Sequence, residues 1–291
     1  MRKSLIRRCR RLDQWLRGRL GDRTKTLYID FPPEPKPRYG FGRPPHAALH
    51  DLMAARRARY AAILADCQAF TEGLRGIAAT AAGDSDAPCW DNAYFAGTNA
   101  VLLYCLAARR QPKRYVEVGS GNSTRFMRYA IGQEGLATEI VSIDPSPRAA
   151  VKNISDRVIA ERLEDLDLAL FDELSGGDFL FMDGSHRCFQ NSDATVFFLE
   201  ILPRLAPGVL VYIDDVFLPY DYPPEWADRW YSEQYLLAAT LLADRGRRYE
   251  IVFPHAFVSA DEELGAAERR LWAAIGHPGS GGNGLWLTIK E

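Results

Sequence analysis

Arg114-Tyr115-Val116-Glu117-Val118-Gly119-Ser120-Gly121-Asn122-Ser123-Thr124 is the stretch on which the fold turns. Tyr115–Val118 is a short β-rich run. Gly119 and Gly121 follow, permitting a tight turn and close approach of a ligand to the backbone. Thr124–Ile131 then reads as a helix. The same grammar repeats outward. Glu139–Ile143 precedes Ala149–Ile154, and Arg157–Ala160 precedes Leu166–Leu174. Phe179–Met182 precedes Ser192–Leu202, and Val209–Ile213 precedes Glu233–Leu242. Two later runs, Tyr249–Phe253 and Leu285–Ile289, flank a helix over Asp261–Ile275. Strand and helix in strict rotation predict a parallel sheet covered by helices on both faces. The runs are continuously apolar, as strands buried on two sides must be. Seven strands are expected, and ligands of such sheets gather at the carboxyl ends of the strands.

Those ends carry the chemistry. Glu117 would repel a phosphate but suits a cationic or hydroxyl-bearing ligand. Asp144 follows the second run, 23 residues beyond Gly121, the separation at which an acid reaches ribose hydroxyls in this architecture; the alternative is a cap on the next helix. Asp183 ends the fourth run, and Asp214 and Asp215 end the fifth. Strands that neighbour each other would crowd these three carboxylates, and a hard divalent cation such as Mg²⁺ or Ca²⁺ would relieve the repulsion. Consecutive strand residues face opposite ways, so Asp214 and Asp215 can both serve only where the strand is turning. Without an ion, Asp183 and Asp215 would bond substrate or backbone instead. His186 stands at the end of the fourth run. Its ordinary pKa suits proton acceptance near neutrality, and the alternative is a residue that fixes the Asp183 loop. The segment Phe217–Tyr231 is dense in aromatics and either stacks a ring at the cleft mouth or braces the preceding helices.

Composition narrows the class. The 291 residues carry 36 Lys+Arg against 38 Asp+Glu, a net −2 that argues against a surface built for nucleic acid. With 47% hydrophobic residues the chain buries enough to fold, so wholesale disorder is excluded. No uncharged apolar run is long enough to span a membrane. Five scattered cysteines, Cys9, Cys67, Cys89, Cys105 and Cys188, form no C-x-x-C and suit reduced thiols in a cytoplasmic protein.

Three regions are expected. Residues 1–45 hold a basic helix, with Leu5, Cys9, Leu12, Leu16 and Leu20 on one stripe, and a proline-rich arm. Residues 46–110 form a helical cap, and residues 111–291 form the ligand-binding domain. The arginines of the first helix break any signal-peptide core. The stripe packs on its own protein or a second subunit, giving a homo-oligomer through the N-terminal helices; the alternative is an anionic membrane or acidic partner.

VEVGSGNST (116–124), SIDP (142–145), DFLFMDGSH (178–186) and LAPGVLVYIDD (205–215) together resemble class I S-adenosylmethionine-dependent methyltransferases. They are most similar to the bacterial branch that includes macrolide and aminocoumarin sugar O-methyltransferases. The resemblance covers residues 89–291. It implies a Rossmann-like seven-stranded, mostly parallel α/β sheet with a reversed last strand. It implies that Glu117, Gly119, Ser120 and Gly121 line the methionine part of S-adenosylmethionine, that Asp144 holds the ribose, and that Glu164 and Asp165 sit near the adenine. Asp183 borders the same cofactor. In the sugar enzymes Mg²⁺ is held by an acid after strand four and an acid pair after strand five, positions matched here by Asp183, Asp214 and Asp215. The strand-four loop supplies a base, matched by His186. The third glycine of the usual loop is replaced by Ser123.

The function expected from this is O-methylation of a small hydroxylated molecule, a sugar or natural product, assisted by Mg²⁺ at Asp183, Asp214 and Asp215 with His186 as base. The alternatives are use of the same cofactor without methyl transfer, an NAD-dependent oxidoreductase or epimerase, and a non-enzymatic binding protein. Thr124 in place of a third phosphate-loop glycine and the lack of a Tyr-x-x-x-Lys pair disfavour the NAD enzyme.

Overall fold

The computed structural model describes residues 29, 31–81, 86–95, 97–148 and 150–291. The chain divides into two units, Met1–Pro35 and Lys36–Glu291. All helices and strands of the described residues lie in the second unit. The basic N-terminal helix, and with it oligomerisation through that helix, lies outside the described residues.

Seven strands form one sheet: β1 (Arg114–Val118), β2 (Glu139–Ile143), β3 (Arg157–Ile159), β4 (Phe179–Met182), β5 (Leu210–Asp214), β6 (Tyr249–Pro254) and β7 (Gly284–Ile289). Their order is β3-β2-β1-β4-β5-β7-β6, with only β7 antiparallel to its neighbours. This is the Rossmann-like arrangement with a reversed last strand. Each run lies within a residue or so of its sequence-read position. β5 extends to Asp214 because that residue still pairs with Gly284. Every residue of β4 and β5 is buried, which accounts for their unbroken apolar sequences. Phe181 of β4 stacks on Tyr212 of β5 at 4.6 Å between ring centroids, and Tyr212 packs tilted against Trp286 of β7 at 4.8 Å.

The helices are α1 (Ala47–Ala54), α2 (Arg57–Cys67), α3 (Thr71–Arg75), α4 (Gly97–Arg110), α5 (Asn122–Glu134), α6 (Val151–Ile154), α7 (Asp193–Val196), α8 (Glu233–Asp244), α9 (His255–Ala260) and α10 (Glu262–Ile275). Twelve of the fourteen residues of α4 are buried and it packs on α5, so it belongs to the core. Ahead of this helix, Asn92 accepts from the Tyr94 and Phe95 amides at 3.3 and 2.8 Å. That local turn competes with helix, and α4 begins only at Gly97. Leu166–Leu174 is not an α-helix but a 3₁₀ turn over Leu168–Glu173, started by Asp167 accepting from the Ala169 amide. Ser192–Leu202 is helical but composite. α7 passes into a π-helical turn over Phe197–Ile201 and ends on a 3₁₀ turn holding Pro203, which has no N–H to continue a helix. No helix among the described residues is long and apolar enough to cross a membrane.

Candidate active site

Parallel register brings three strand ends to one level. Val118 pairs with Ile143 on one side and Met182 on the other. The residues that follow, Gly119, Asp144 and Asp183, therefore open side by side. Gly119 has φ +80, and a Cβ there would collide with the Asp183 carbonyl oxygen. Glycine is required both for the left-handed turn and for the close approach.

A cavity of about 350 Å³ opens at this edge. Gly119, Asp144, Glu164 and Asp183 line it, together with Arg162 and the apolar Ile143, Pro145 and Leu163. Asp144 is fixed on its wall by Ser120, whose amide and hydroxyl donate at 3.2 and 2.6 Å, and by the Ser146 amide at 2.8 Å. Ser120 thus stands behind Asp144 while Gly121 and Asp165 are off the wall.

Glu117 is placed differently. It is fully buried beneath the loop, not on the cavity wall. Its carboxylate accepts from Thr124 and Ser142 at 2.5 Å, Ser123 at 3.1 Å and Tyr115 at 3.2 Å. Burial pushes its carboxyl up, the four hydroxyls pull it back, and the result is about 7. It anchors β1, β2 and the start of α5 to one another. Ser123, the departure from the glycine-rich pattern, is one of the four donors.

Beside the cavity lies a second group of titratable residues. Ser185 donates its amide and hydroxyl to Asp193 at the start of α7, which pins the loop after β4. His186 follows with φ +59 and is nearly buried. Its Nε2 lies 3.2 Å from Asp183 and 3.5 Å from Asp215. Its Nδ1 bonds Glu233, a wholly buried residue at the start of α8. The Ser232 and Glu233 amides also bond the His186 carbonyl, at 2.8 and 3.3 Å. Burial alone would push the imidazole down; Glu233 and Asp183 outweigh it and hold the ring well above its ordinary value. Burial likewise raises Asp215, to about 6, with His186 opposing. Asp215 also has positive φ, +51, so two non-glycine residues in the sparsely populated left-handed region face each other across the site.

The acid pair after β5 splits. Asp215 turns to His186 and to Asn283, whose amide donates at 2.7 Å. Asp214 is buried and accepts from the Tyr212 hydroxyl at 2.7 Å and the Asn99 amide at 3.4 Å. Among the described residues no three His, Cys, Asp or Glu side chains converge as a metal-holding group. Asp183, Asp214 and Asp215 therefore do not fit the expected Mg²⁺ site. The His186 imidazole stands where a cation would have to compensate Asp183 and Asp215, and Asp214 is committed to Tyr212 and Asn99.

Glu233 escaped the sequence reading, while Tyr231 closes the aromatic segment expected at the cleft mouth or against the helices. Tyr231 packs on the His186 ring at 4.5 Å. It belongs to an aromatic cluster with Phe217, Tyr222 and Trp226, in which Tyr222 and Trp226 stack at 6.4 Å. The dense aromatics of the segment were the available signal. An acid in the first turn of a helix is otherwise an ordinary occurrence.

Residues 116–216 match the model of a family described as a methyltransferase domain. No curated protein matches the chain. Among solved structures the chain is similar to a methyltransferase from Podospora anserina bound to S-adenosylhomocysteine: 19% identity, 82% of this chain and 96% of that one, TM-score 0.43. It is similar to an O-methyltransferase of tomaymycin synthesis from Streptomyces achromogenes in complex with S-adenosylmethionine, at 15% identity, 67% and 80% coverage and TM-score 0.33. It is also similar to an O-methyltransferase from Bacillus cereus with S-adenosylhomocysteine, at 16% identity, 79% and 91% coverage and TM-score 0.34.

Proposed function

We propose that the chain is a class I S-adenosylmethionine-dependent methyltransferase and that it methylates an oxygen of a small hydroxylated molecule, with S-adenosylmethionine in the cavity at the ends of β1, β2 and β4. The observation that carries this reading is the adjacency of that cavity to the Glu233–His186–Asp183 chain, which joins a binding wall to a proton acceptor. The wall suits the cofactor. Asp144 presents a carboxylate to vicinal hydroxyls, Ile143, Pro145 and Leu163 offer apolar contact to a base, and Gly119 leaves the backbone open. S-adenosylmethionine supplies a methyl group on a positively charged sulfur.

The rest falls to this chain. Glu233 fixes the imidazole from behind Nδ1, so that Nε2 points at Asp183 and Asp215. An acceptor hydroxyl entering between those two carboxylates is oriented by them. His186, itself nearly buried, then removes its proton in its unprotonated form. Because the three expected metal ligands do not form a set, no step is assigned to a metal.

Calorimetry on the intact chain tests this. S-adenosylhomocysteine should bind and NAD should not, and Asp144→Ala should weaken the former by about 10-fold or more, the loss of a charge-assisted bond. Binding of NAD in preference, or an Asp144→Ala variant with unchanged affinity, would remove the proposal. With an acceptor in hand, His186→Ala should lose about 10²–10⁴ in turnover while keeping cofactor affinity.

A further inference from the structure

The rim of the site carries two arginines that the proposed chemistry does not use. Arg187 follows His186 directly, and Arg229 lies in the 3₁₀ turn Pro224–Arg229. The two are tied together: the Arg187 Nε–H donates to the Arg229 carbonyl at 3.1 Å, and Arg187 Nη1 donates to the Ser185 carbonyl at 2.9 Å. These bonds fix one edge of the Arg187 guanidinium and leave the rest of the fork open. Arg229 is exposed and stacks over Trp226, its Cζ 3.7 Å from the ring centroid. Both guanidiniums also flank Tyr231, at 5.0 and 5.6 Å. Neither forms an ion pair with a carboxylate among the described residues, although other arginines do so with Asp or Glu, such as Arg57, Arg109, Arg128 and Arg204.

The acids at this edge are turned elsewhere. Asp183, Asp215 and Glu233 all face His186, and Asp193 accepts from Ser185. Arg229 is felt by Asp215 only through space. The site thus pairs an inward, internally compensated acid cluster with an outward, uncompensated basic rim. Tyr231 links them. Its centroid is 4.5 Å from the imidazole and 5.0 Å from Arg187 Cζ, so one ring touches both the proposed base and the basic rim. Planar guanidiniums backed by aromatic faces are suited to bidentate capture of a carboxylate or phosphate.

We propose that Arg187 and Arg229 form an anion subsite for the methyl acceptor, which carries a carboxylate or phosphate beside the hydroxyl that is methylated. The inference rests on the methyltransferase reading above and adds the acceptor's charge to it.

The test is calorimetry on the full chain saturated with S-adenosylhomocysteine, using matched probes: 3,4-dihydroxybenzoate against catechol, and glucose 6-phosphate against glucose. At least one anionic probe should bind about 10-fold or more tightly than its neutral partner, the value of one charge-assisted contact. Which pair shows the preference distinguishes carboxylate from phosphate. R229Q should reduce the preference and the R187Q/R229Q double variant should abolish it, with S-adenosylhomocysteine affinity retained as the control for folding. R229Q alone, at an exposed position, decides the matter if the double variant loses the control. No preference in either pair, or a preference that survives in these variants, overturns the proposal. Failure of S-adenosylhomocysteine to bind the unmodified chain would instead overturn the methyltransferase reading itself.

Discussion

Glu233 lies against Nδ1 of His186 with no exposure to solvent, 47 residues away in sequence. The helix that begins at Glu233 also turns its first amides onto the His186 carbonyl, so ring and backbone of one residue are gripped by the same turn. A buried carboxylate behind one ring nitrogen fixes the ring's orientation and favours its protonated form. The other nitrogen is thereby aimed at Asp183, the more exposed partner, at the mouth of the cavity.

Glu233→Gln should therefore lower the His186 pKa. The unmodified ring should titrate above its ordinary 6.5 because Glu233 and Asp183 overcome burial. Removing the Glu233 charge removes one of the upward effects and leaves burial in place. Proton–carbon NMR of the histidine ring signals, with His186→Gln to assign the peak, measures this without any acceptor. A midpoint that stays put or rises in Glu233→Gln would contradict the pairing. If His186 is the base, the acid limb of turnover, where activity rises as the ring loses its proton, moves to lower pH by the same amount.

Glu117 makes a separate prediction about stability. Its carboxyl sits at about 7 in the folded protein against 4.5 ordinarily. The folded state then binds the extra proton between those values. Its contribution is fully present below about pH 4.5 and is lost as pH rises through 7. A shift of that size is worth about 3 kcal/mol at most. Denaturant unfolding of the parent and Glu117→Gln across pH 4.5 to 8 should show the parent losing stability relative to the variant as pH rises. Parallel curves would mean that the four hydroxyls keep Glu117 ionised throughout.

Magnesium should give no saturable heat when titrated into the chain loaded with S-adenosylhomocysteine. A divalent ion would have to displace His186 Nε2 from Asp183 and Asp215 and pull Asp214 from Tyr212 and Asn99. Hard cations need oxygen ligands free to turn toward them. Binding at or below about 1 mM that disappears in Asp215→Asn would show that the cluster rearranges around a metal.

The sheet was legible because its strands are short runs rich in apolar residues, and β1, β2, β4 and β5 are closed by a glycine or an acid, a pattern that buried parallel strands impose locally. Gly119, Asp144 and Asp183 came with it, since strand ends of a parallel sheet must share an edge. What the sequence hid was non-local or locally contested. Glu233 reads as an ordinary first-turn acid, and its partner lies on another element. Glu117 reads as a wall residue until its four hydroxyl donors, spread over β1, β2 and α5, are seen around it. Asp214 and Asp215 look like a pair, yet the left-handed backbone at Asp215 sends them to different partners. Helix breaks at Asn92 and Asp167 arise from side chains that bond nearby amides, a competition that apolar periodicity does not register.

Gly119→Ala tests whether the cavity edge is as tight as the backbone implies. The position has φ +80, where alanine is strained, and the new Cβ would meet the Asp183 carbonyl oxygen, a backbone atom that cannot rotate away. Asp183 is itself held, its amide donating to the Val118 carbonyl at 2.9 Å. Relief must come from parting the ends of β1 and β4, which moves Asp183 relative to Asp144 and His186. The expected result is a loss of about 1–3 kcal/mol in unfolding free energy, the cost of a residue forced into a sparsely populated region. S-adenosylhomocysteine affinity should fall as well. Gly132→Ala is the control: nothing lies within 4 Å of a Cβ there and the residue sits inside helix α5, where alanine is favoured over glycine, so no stability should be lost. Equal effects at the two glycines would show that the loop yields freely and that the contact between Gly119 and Asp183 does not set the shape of the site.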